Sequence, residues 1–420
     1  MQSKLFEYLF LTPLYWILEL LRLLFLTGKA GAILHNAIYH ALFSMAPKNT
    51  EHKRKYTMLT GELRSNPAIL EWQRRAYTSC PAVVRHVLKN VFVRRFLVGT
   101  LHRLWLEKQG NAVPRMLMIS LNTPEAGCNL KCEHCYATGH ENTMIPLEIL
   151  MRVLREQEQL GIYNVMLLGG EPFLYRHIWH ILESFPKTSF YVATNGTHMD
   201  AEAVNRLSQM GNVFPMVSLE GFEAHTDAIR GNGTYQLVAA GMKRCKDAGL
   251  AYGVTATVTK QNMAEVTGRF FLEMLTQLRC CAISYSCYVP IGRDPHPEWQ
   301  INYIESEQLD GMVDFIHANF PMFPTVGRNG TSRVNDCAAA KQFMHILPTG
   351  QVETCPFVQW AAPEFNVGQK TILEIMASPY FNYTRKLGDR GVTGLTPCHA
   401  PNLKTLQTDF SELGAKPTVH

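Results

Sequence analysis

Cys128-Asn-Leu-Lys-Cys132-Glu-His-Cys135-Tyr136 follows the apolar run Met116–Leu121, and Gly169-Gly170-Glu171-Pro172 follows the next such run, Asn164–Leu168. Further β-prone runs recur at Ser189–Ala193, Val213–Leu219, Tyr252–Thr259 and Ala282–Tyr288. Helical patterns lie between them over Pro146–Gly161, Asp200–Met210, Tyr235–Gly249 and Ala264–Leu278. This alternation predicts an α/β fold with a parallel sheet, open or curled into a partial barrel. In such folds the chemistry gathers at the C-terminal ends of the strands, where both motifs fall.

Three thiols within eight residues, spaced C-x3-C-x2-C, suit a cluster or a metal on a short loop. A structural zinc site would need a second cysteine or histidine pair nearby. A [4Fe–4S] cluster held by three cysteines leaves one iron open to an outside ligand. In Gly169–Pro172 the two glycines are expected to let a ligand approach the backbone, and Glu171 to accept hydrogen bonds from an ammonium group. Thr194-Asn195-Gly196 and Ser218-Leu219-Glu220-Gly221 close the third and fourth runs. Arg230, followed by Gly231, is the best-placed guanidinium for a ligand carboxylate, the alternative being a solvated loop arginine.

Taken in order, these motifs resemble the radical S-adenosylmethionine (SAM) superfamily over residues 114–290. The resemblance implies a partial (β/α)6 barrel in which Cys128, Cys132 and Cys135 hold a [4Fe–4S] cluster. His134 stands where the family often has an aromatic residue. Gly169, Gly170, Glu171 and Pro172 correspond to the motif that holds the methionine amino group, and Ser218 and Arg230 to the usual carboxylate ligands. Thr194, Asn195 and Glu220 complete the implied SAM-binding set. One-electron reduction would cleave SAM to methionine and a 5′-deoxyadenosyl radical, which abstracts a substrate hydrogen. A reduced flavodoxin or ferredoxin-type donor is the implied electron source.

A second set of cysteines follows a Pro/Gly-rich connection. Cys337 precedes Gly350 by 13 residues and Cys355 by 18, and Pro348-Thr-Gly350 reads as the turn of a hairpin. With Cys398 this resembles the auxiliary-cluster extension called SPASM or twitch, implying a small C-terminal α+β domain with one auxiliary iron–sulfur cluster on Cys337, Cys355 and Cys398. The full SPASM pattern ends in several closely spaced cysteines; here Cys398 stands alone beside His399. The fourth ligand is thus His399, another side chain, substrate or solvent. A cluster-free remnant is the alternative. Cys280, Cys281 and Cys287 read as buried core thiols; Cys80 and Cys245 receive no role. No acid or base is assignable: Asp336 and Glu353 are as consistent with solvated charges, and Tyr288 is a candidate to face substrate.

The 420 residues, 46% hydrophobic and 18% charged, exclude wholesale disorder. Residues 1–113 carry 16 Lys/Arg against 6 Glu, so the basic charge is confined to the first quarter and does not describe a nucleic-acid binder. Leu5–Leu26 is apolar, with Tyr8, Thr12, Tyr15, Glu19 and Arg22 on one helical stripe, and scattered Lys/Arg follow. That pattern suits a helix lying on an anionic cytoplasmic membrane surface; its alternative is a helical subdomain packed on the catalytic part. The expected organisation is an apolar, basic helical region over 1–113, a barrel over 114–325, an auxiliary domain over 326–402 and a tail over 403–420.

A membrane-surface enzyme in a reducing, low-oxygen cytoplasm is expected to activate a C–H bond of a lipid or isoprenoid. The runner-up is maturation of a ribosomally made peptide or dehydrogenation of a small molecule. A membrane-bound iron–sulfur or zinc scaffold without activity is the non-enzymatic alternative.

Overall fold

A computed structural model describes residues 106, 109–122, 127–137, 143–327, 338–389 and 403–418. The expectations for 1–105, and those for Cys80, Asp336, Cys337, Cys398 and His399, lie outside the described residues. Among the described residues no helix is long and apolar enough to cross a membrane.

The strands are β1 (Met116–Leu121), β2 (Asn164–Gly169), β3 (Ser189–Thr194), β4 (Val213–Ser218), β5 (Gly253–Val258), β6 (Ala282–Cys287), β7 (Phe323–Gly327), β8 (Phe343–Ile346), β9 (Val352–Glu353), β10 (Trp360–Ala361) and β11 (Lys416–Pro417). They form one sheet in the order β11-β10-β9-β8-β1-β2-β3-β4-β5-β6-β7. The stretch from β8 through β1 to β7 is parallel, and β9 to β11 continue it antiparallel. The six runs read from the sequence all form strands, each within a residue of its expected ends. Their period of two is plain in β1, where Leu117, Ile119 and Leu121 are buried in the apolar core.

The helices are α1 (Leu147–Gln159), α2 (Ile178–Ser184), α3 (Ala201–Met210), α4 (Glu223–Arg230), α5 (Thr234–Ala248), α6 (Met263–Val266), α7 (Arg269–Gln277), α8 (Tyr303–Asn319), α9 (Ile372–Met376), α10 (Pro379–Asp389) and α11 (Leu403–Glu412). In α3, Asp200 caps the first turn by accepting from Ala203 N–H at 2.8 Å. The helix expected over Ala264–Leu278 is two. Gly268 takes an extended conformation between α6 and α7, and a Cβ there would lie 2.9 Å from the Ala264 carbonyl.

The expected hairpin forms between β8 and β9, its turn closed by Gly350 N–H to Leu347 O at 2.9 Å. It shares the barrel's sheet, because β8 hydrogen-bonds to the outer edge of β1, Met118 opposite His345. The stretch read as a tail is also structured. Phe410 of α11 is buried against Tyr380, Trp360 and Tyr383, and β11 pairs with β10. That aromatic cluster, rather than any local signal, anchors it.

Candidate SAM and iron–sulfur site

The strands β1 to β5 end on a common side, and the loops that follow them converge. The paired glycines are used differently from the expectation. A Cβ on Gly169, whose φ is +117°, would lie 2.0 Å from the Leu121 carbonyl oxygen, and one on Gly170 would lie 1.5 Å from that of Gly127. Their bareness lets the β2 turn press against the root of the cysteine loop. Glu171 N–H donates to Gly127 O at 2.8 Å and Gly170 N–H to Leu121 O at 3.3 Å. Pro172 then opens a short 3-10 turn that Glu171 caps.

The Glu171 carboxylate is buried. Its Oε1 accepts from Thr194 Oγ at 2.8 Å and Phe173 N–H at 3.1 Å; its Oε2 accepts from Asn195 N–H at 2.7 Å. Burial nevertheless pushes its carboxyl up to about 7, against the pull of those hydrogen bonds. Asn195 turns its amide towards the cysteine loop: Nδ2 donates to Asn129 Oδ1 at 2.8 Å and points at Cys128 Sγ from 3.8 Å.

Glu220, beyond half-buried Ser218, is the second buried carboxylate. Arg230 grips its Oε1 with Nε, at 3.1 Å, and with Nη2; His134 Nε2 stands 3.2 Å from the same oxygen. Oε2 accepts from Thr257 N–H at 2.8 Å. Burial alone would raise this carboxyl, but Arg230 and His134 outweigh it and hold the value down to about 2. Arg230 is therefore not a solvated loop residue, and its first engagement is with Glu220. Two of its nitrogens serve Glu220, and the third, Nη1, points at Cys132 Sγ from 3.8 Å.

The loop is also clasped from the β6 side. Gly292 packs on it so closely that a Cβ would lie 2.2 Å from Cys135 O, and Arg293 N–H donates to that oxygen at 3.0 Å. His296, stacked on Trp299 with centroids 4.1 Å apart, reaches Glu133 at 3.0 Å. None of these contacts is signalled by local spacing, and no motif in the sequence marks Asn129, Gly292 or His296. Tyr288 does not face an open site: it is buried, and its hydroxyl accepts from His296 N–H at 2.9 Å.

The donor set fits an iron–sulfur cluster. Three thiols share one short loop, two N–H donors aim at their sulfurs as outer hydrogen bonds to a cluster do, and the neighbouring His134 Nδ1 is buried without a partner. Desolvation pushes up the thiols of half-buried Cys135 and of Cys128, which is itself exposed, so metal binding there must expel their protons. Cys245, Cys280 and Cys287 are buried in the apolar core, with thiols raised to about 12, about 12 and about 11. Cys281 departs from the core expectation and is half-buried.

Of the second set, Cys355 is buried just beyond β9. Glu353, two residues before it, is not solvated. It is fully buried and accepts from His345 Nδ1 at 2.8 Å and from Thr418 Oγ.

Residues 123–268 match the radical SAM superfamily. The chain is 33% identical over 146 residues to pre-heme d1 synthase of Dinoroseobacter shibae, covering 33% of this chain and 36% of that protein. It is 26% identical over 256 residues to the mycofactocin maturase of Mycobacterium tuberculosis, covering 55% and 62%. The chain thus spans about a third to three-fifths of these relatives' length. In fold it is similar to Streptococcus suis SuiB bound to SAM, with a TM-score of 0.58 at 19% identity over 71% of this chain and 75% of that one. SuiB bound to its precursor peptide SuiA gives 0.55 at 20% identity, over 68% and 70%.

Proposed function

We propose that this chain, whose residues 123–268 match the radical SAM superfamily, carries that superfamily's [4Fe–4S] and SAM chemistry and acts on a peptide. When bound, cluster and SAM supply a 5′-deoxyadenosyl radical by one-electron reduction. The chain's own residues hold and shield them. Cys128, Cys132 and Cys135 bind the iron, while Asn195 and Arg230 donate towards the sulfurs. The open acceptor position on Glu171 Oε2 suits the SAM ammonium group, with Gly169, Gly170, Pro172, Thr194, Ser218 and His134 framing that side. Cys337, Cys355 and Cys398 are the proposed ligands of an auxiliary cluster.

What favours the peptide reading over the lipid one is that the likeness to a maturase runs over 256 residues, together with a fold like that of SuiB, which is seen bound to its precursor peptide. The likeness to pre-heme d1 synthase is closer in identity but shorter, at 146 residues. The lipid reading leaned on the N-terminal quarter, outside the described residues. Membrane contact, a cytoplasmic location and a flavodoxin or ferredoxin donor remain proposals.

The test is anaerobic reconstitution followed by measurement of 5′-deoxyadenosine formed from SAM and dithionite. Reactions receive lipid extract, an aqueous peptide fraction, or that fraction after protease treatment. Stimulation by the peptide fraction that protease abolishes is the expected result. Stimulation by lipid alone overturns it.

A further inference from the structure

The side-chain series Ser120–His345–Glu353, buried throughout and continued by half-buried Thr418, is not used by the SAM site, yet it ties together β1, β8, β9 and the residue after β11. Ser120 lies on β1, from which the cysteine loop departs, and its Oγ is 2.8 Å from His345 Nε2 on β8. His345 Nδ1 stands 2.8 Å from Glu353 Oε2, directly across the β8–β9 register. Glu353 Oε1 accepts from Thr418 Oγ beyond β11. Ser120 is 4% exposed, and His345 and Glu353 are 0% exposed. A fully buried carboxylate beside a fully buried imidazole is costly unless each is satisfied, and such pairs fix one arrangement of the elements that carry them.

Those elements are the roots of both cysteine sites. Two residues beyond Glu353 comes Cys355. Tyr136, next to Cys135, packs its ring on Phe357 at 5.6 Å, and its carbonyl accepts from Gln359 Nε2 at 3.4 Å. The Cys135 loop and the Cys355 turn therefore touch, and His345 ties the strands beneath them.

We infer that His345 is a positioning residue, which locks the Cys355 turn to β1 so that Cys355 meets its cluster beside the SAM-binding loop. The inference rests on the reading that Cys355 ligates an auxiliary cluster. The two ring nitrogens divide the work, Nδ1 holding the hairpin's second strand and Nε2 holding the barrel. A glutamine reproduces both contacts, with its amide NH2 towards Glu353 and its carbonyl towards Ser120; a leucine reproduces neither.

The full chain is reconstituted anaerobically as wild type, His345→Gln and His345→Leu. Iron per chain is counted, and electron paramagnetic resonance spectra of the reduced proteins are recorded with and without SAM. The SAM-responsive signal belongs to the Cys128/Cys132/Cys135 cluster and the SAM-insensitive signal to the second centre. His345→Leu should lose the insensitive signal and about four irons while keeping the responsive one, and His345→Gln should restore both. Ser120→Ala against Ser120→Thr gives the same decision should His345→Leu fail to fold, with loss in the first and retention in the second. Full iron and both signals in His345→Leu, or in Ser120→Ala, overturn the inference. A wild type with no SAM-insensitive signal instead overturns the auxiliary-cluster reading on which it stands.

Discussion

Glu171, just past the end of β2, and Glu220, just past the end of β4, are both almost completely buried, yet one carboxyl is raised to about 7 and the other lowered to about 2. Glu171 is met by a hydroxyl and two backbone N–H groups, all neutral. Glu220 is met by a guanidinium, an imidazole and one backbone N–H. Burial sets the cost of a charge, and the partner's charge decides whether it is met. The site is accordingly divided: a fixed ion pair on the β4–β5 side, and on the β2–β3 side a carboxyl with unused acceptor capacity, able to answer a cationic ligand group.

Removing the cation should have the largest effect. Arg230→Met takes the guanidinium from buried Glu220, leaving His134 and one backbone N–H to meet its charge, and should destabilise the metal-free chain by about 3 kcal/mol in urea unfolding. The double variant with Glu220→Gln should regain most of that. A cost no greater than that of an exposed pair would erase the distinction between the two carboxylates.

Next comes Gly170→Ala, which drives a methyl into the Gly127 carbonyl. It should cost about 1–3 kcal/mol and sharply reduce iron uptake, because the β2 turn and cysteine loop can no longer meet. Unchanged iron per chain would show that their contact is dispensable. Glu171→Gln should cost less, about 1–2 kcal/mol, with weakened SAM binding by equilibrium dialysis.

The same variant sharpens the contrast through pH. Between the ordinary carboxyl range and about 7 the folded chain holds a proton on Glu171 that the unfolded chain has lost, so this group makes stability fall as pH rises through that window. Glu220 works oppositely: its contribution is present above the ordinary carboxyl range and is lost as pH falls towards about 2. Urea midpoints of metal-free protein across pH should show the first slope vanish in Glu171→Gln and the acid-side loss persist. The smallest effect belongs to the exposed Arg206–Glu183 pair, where Glu183→Gln should cost no more than about 0.5 kcal/mol.

Much of this was legible in the sequence because it is local. Strand alternation located β1 to β6, and the cysteine and Gly-Gly-Glu-Pro spacings placed both motifs at strand ends. Partners were not legible. Glu220 precedes helix α4 and Arg230 ends it, so only the fold shows that they face each other. Gly169 and Gly170 read as room for a ligand because sequence cannot say which backbone fills the space. β7 escaped notice because it is short and lies at the edge of the sheet, and β8 was legible only as half of a hairpin, its pairing with distant β1 being out of local reach. The Ser120–His345–Glu353 chain was invisible because 225 residues separate its first two members.

The parallel pairing of β1 with β8 also bears on how the chain is made. β1 leaves the ribosome more than 220 residues before Phe343–Ile346, its partners on that side. Until then its edge offers unpaired N–H and C=O groups on a strand rich in leucine, isoleucine and methionine, the kind of edge on which chains aggregate. The late closure gives the fold a high contact order, which slows folding. Expression of residues 114–325 alone would leave that edge permanently bare, so soluble yield should depend on the C-terminal strands even before any metal is considered.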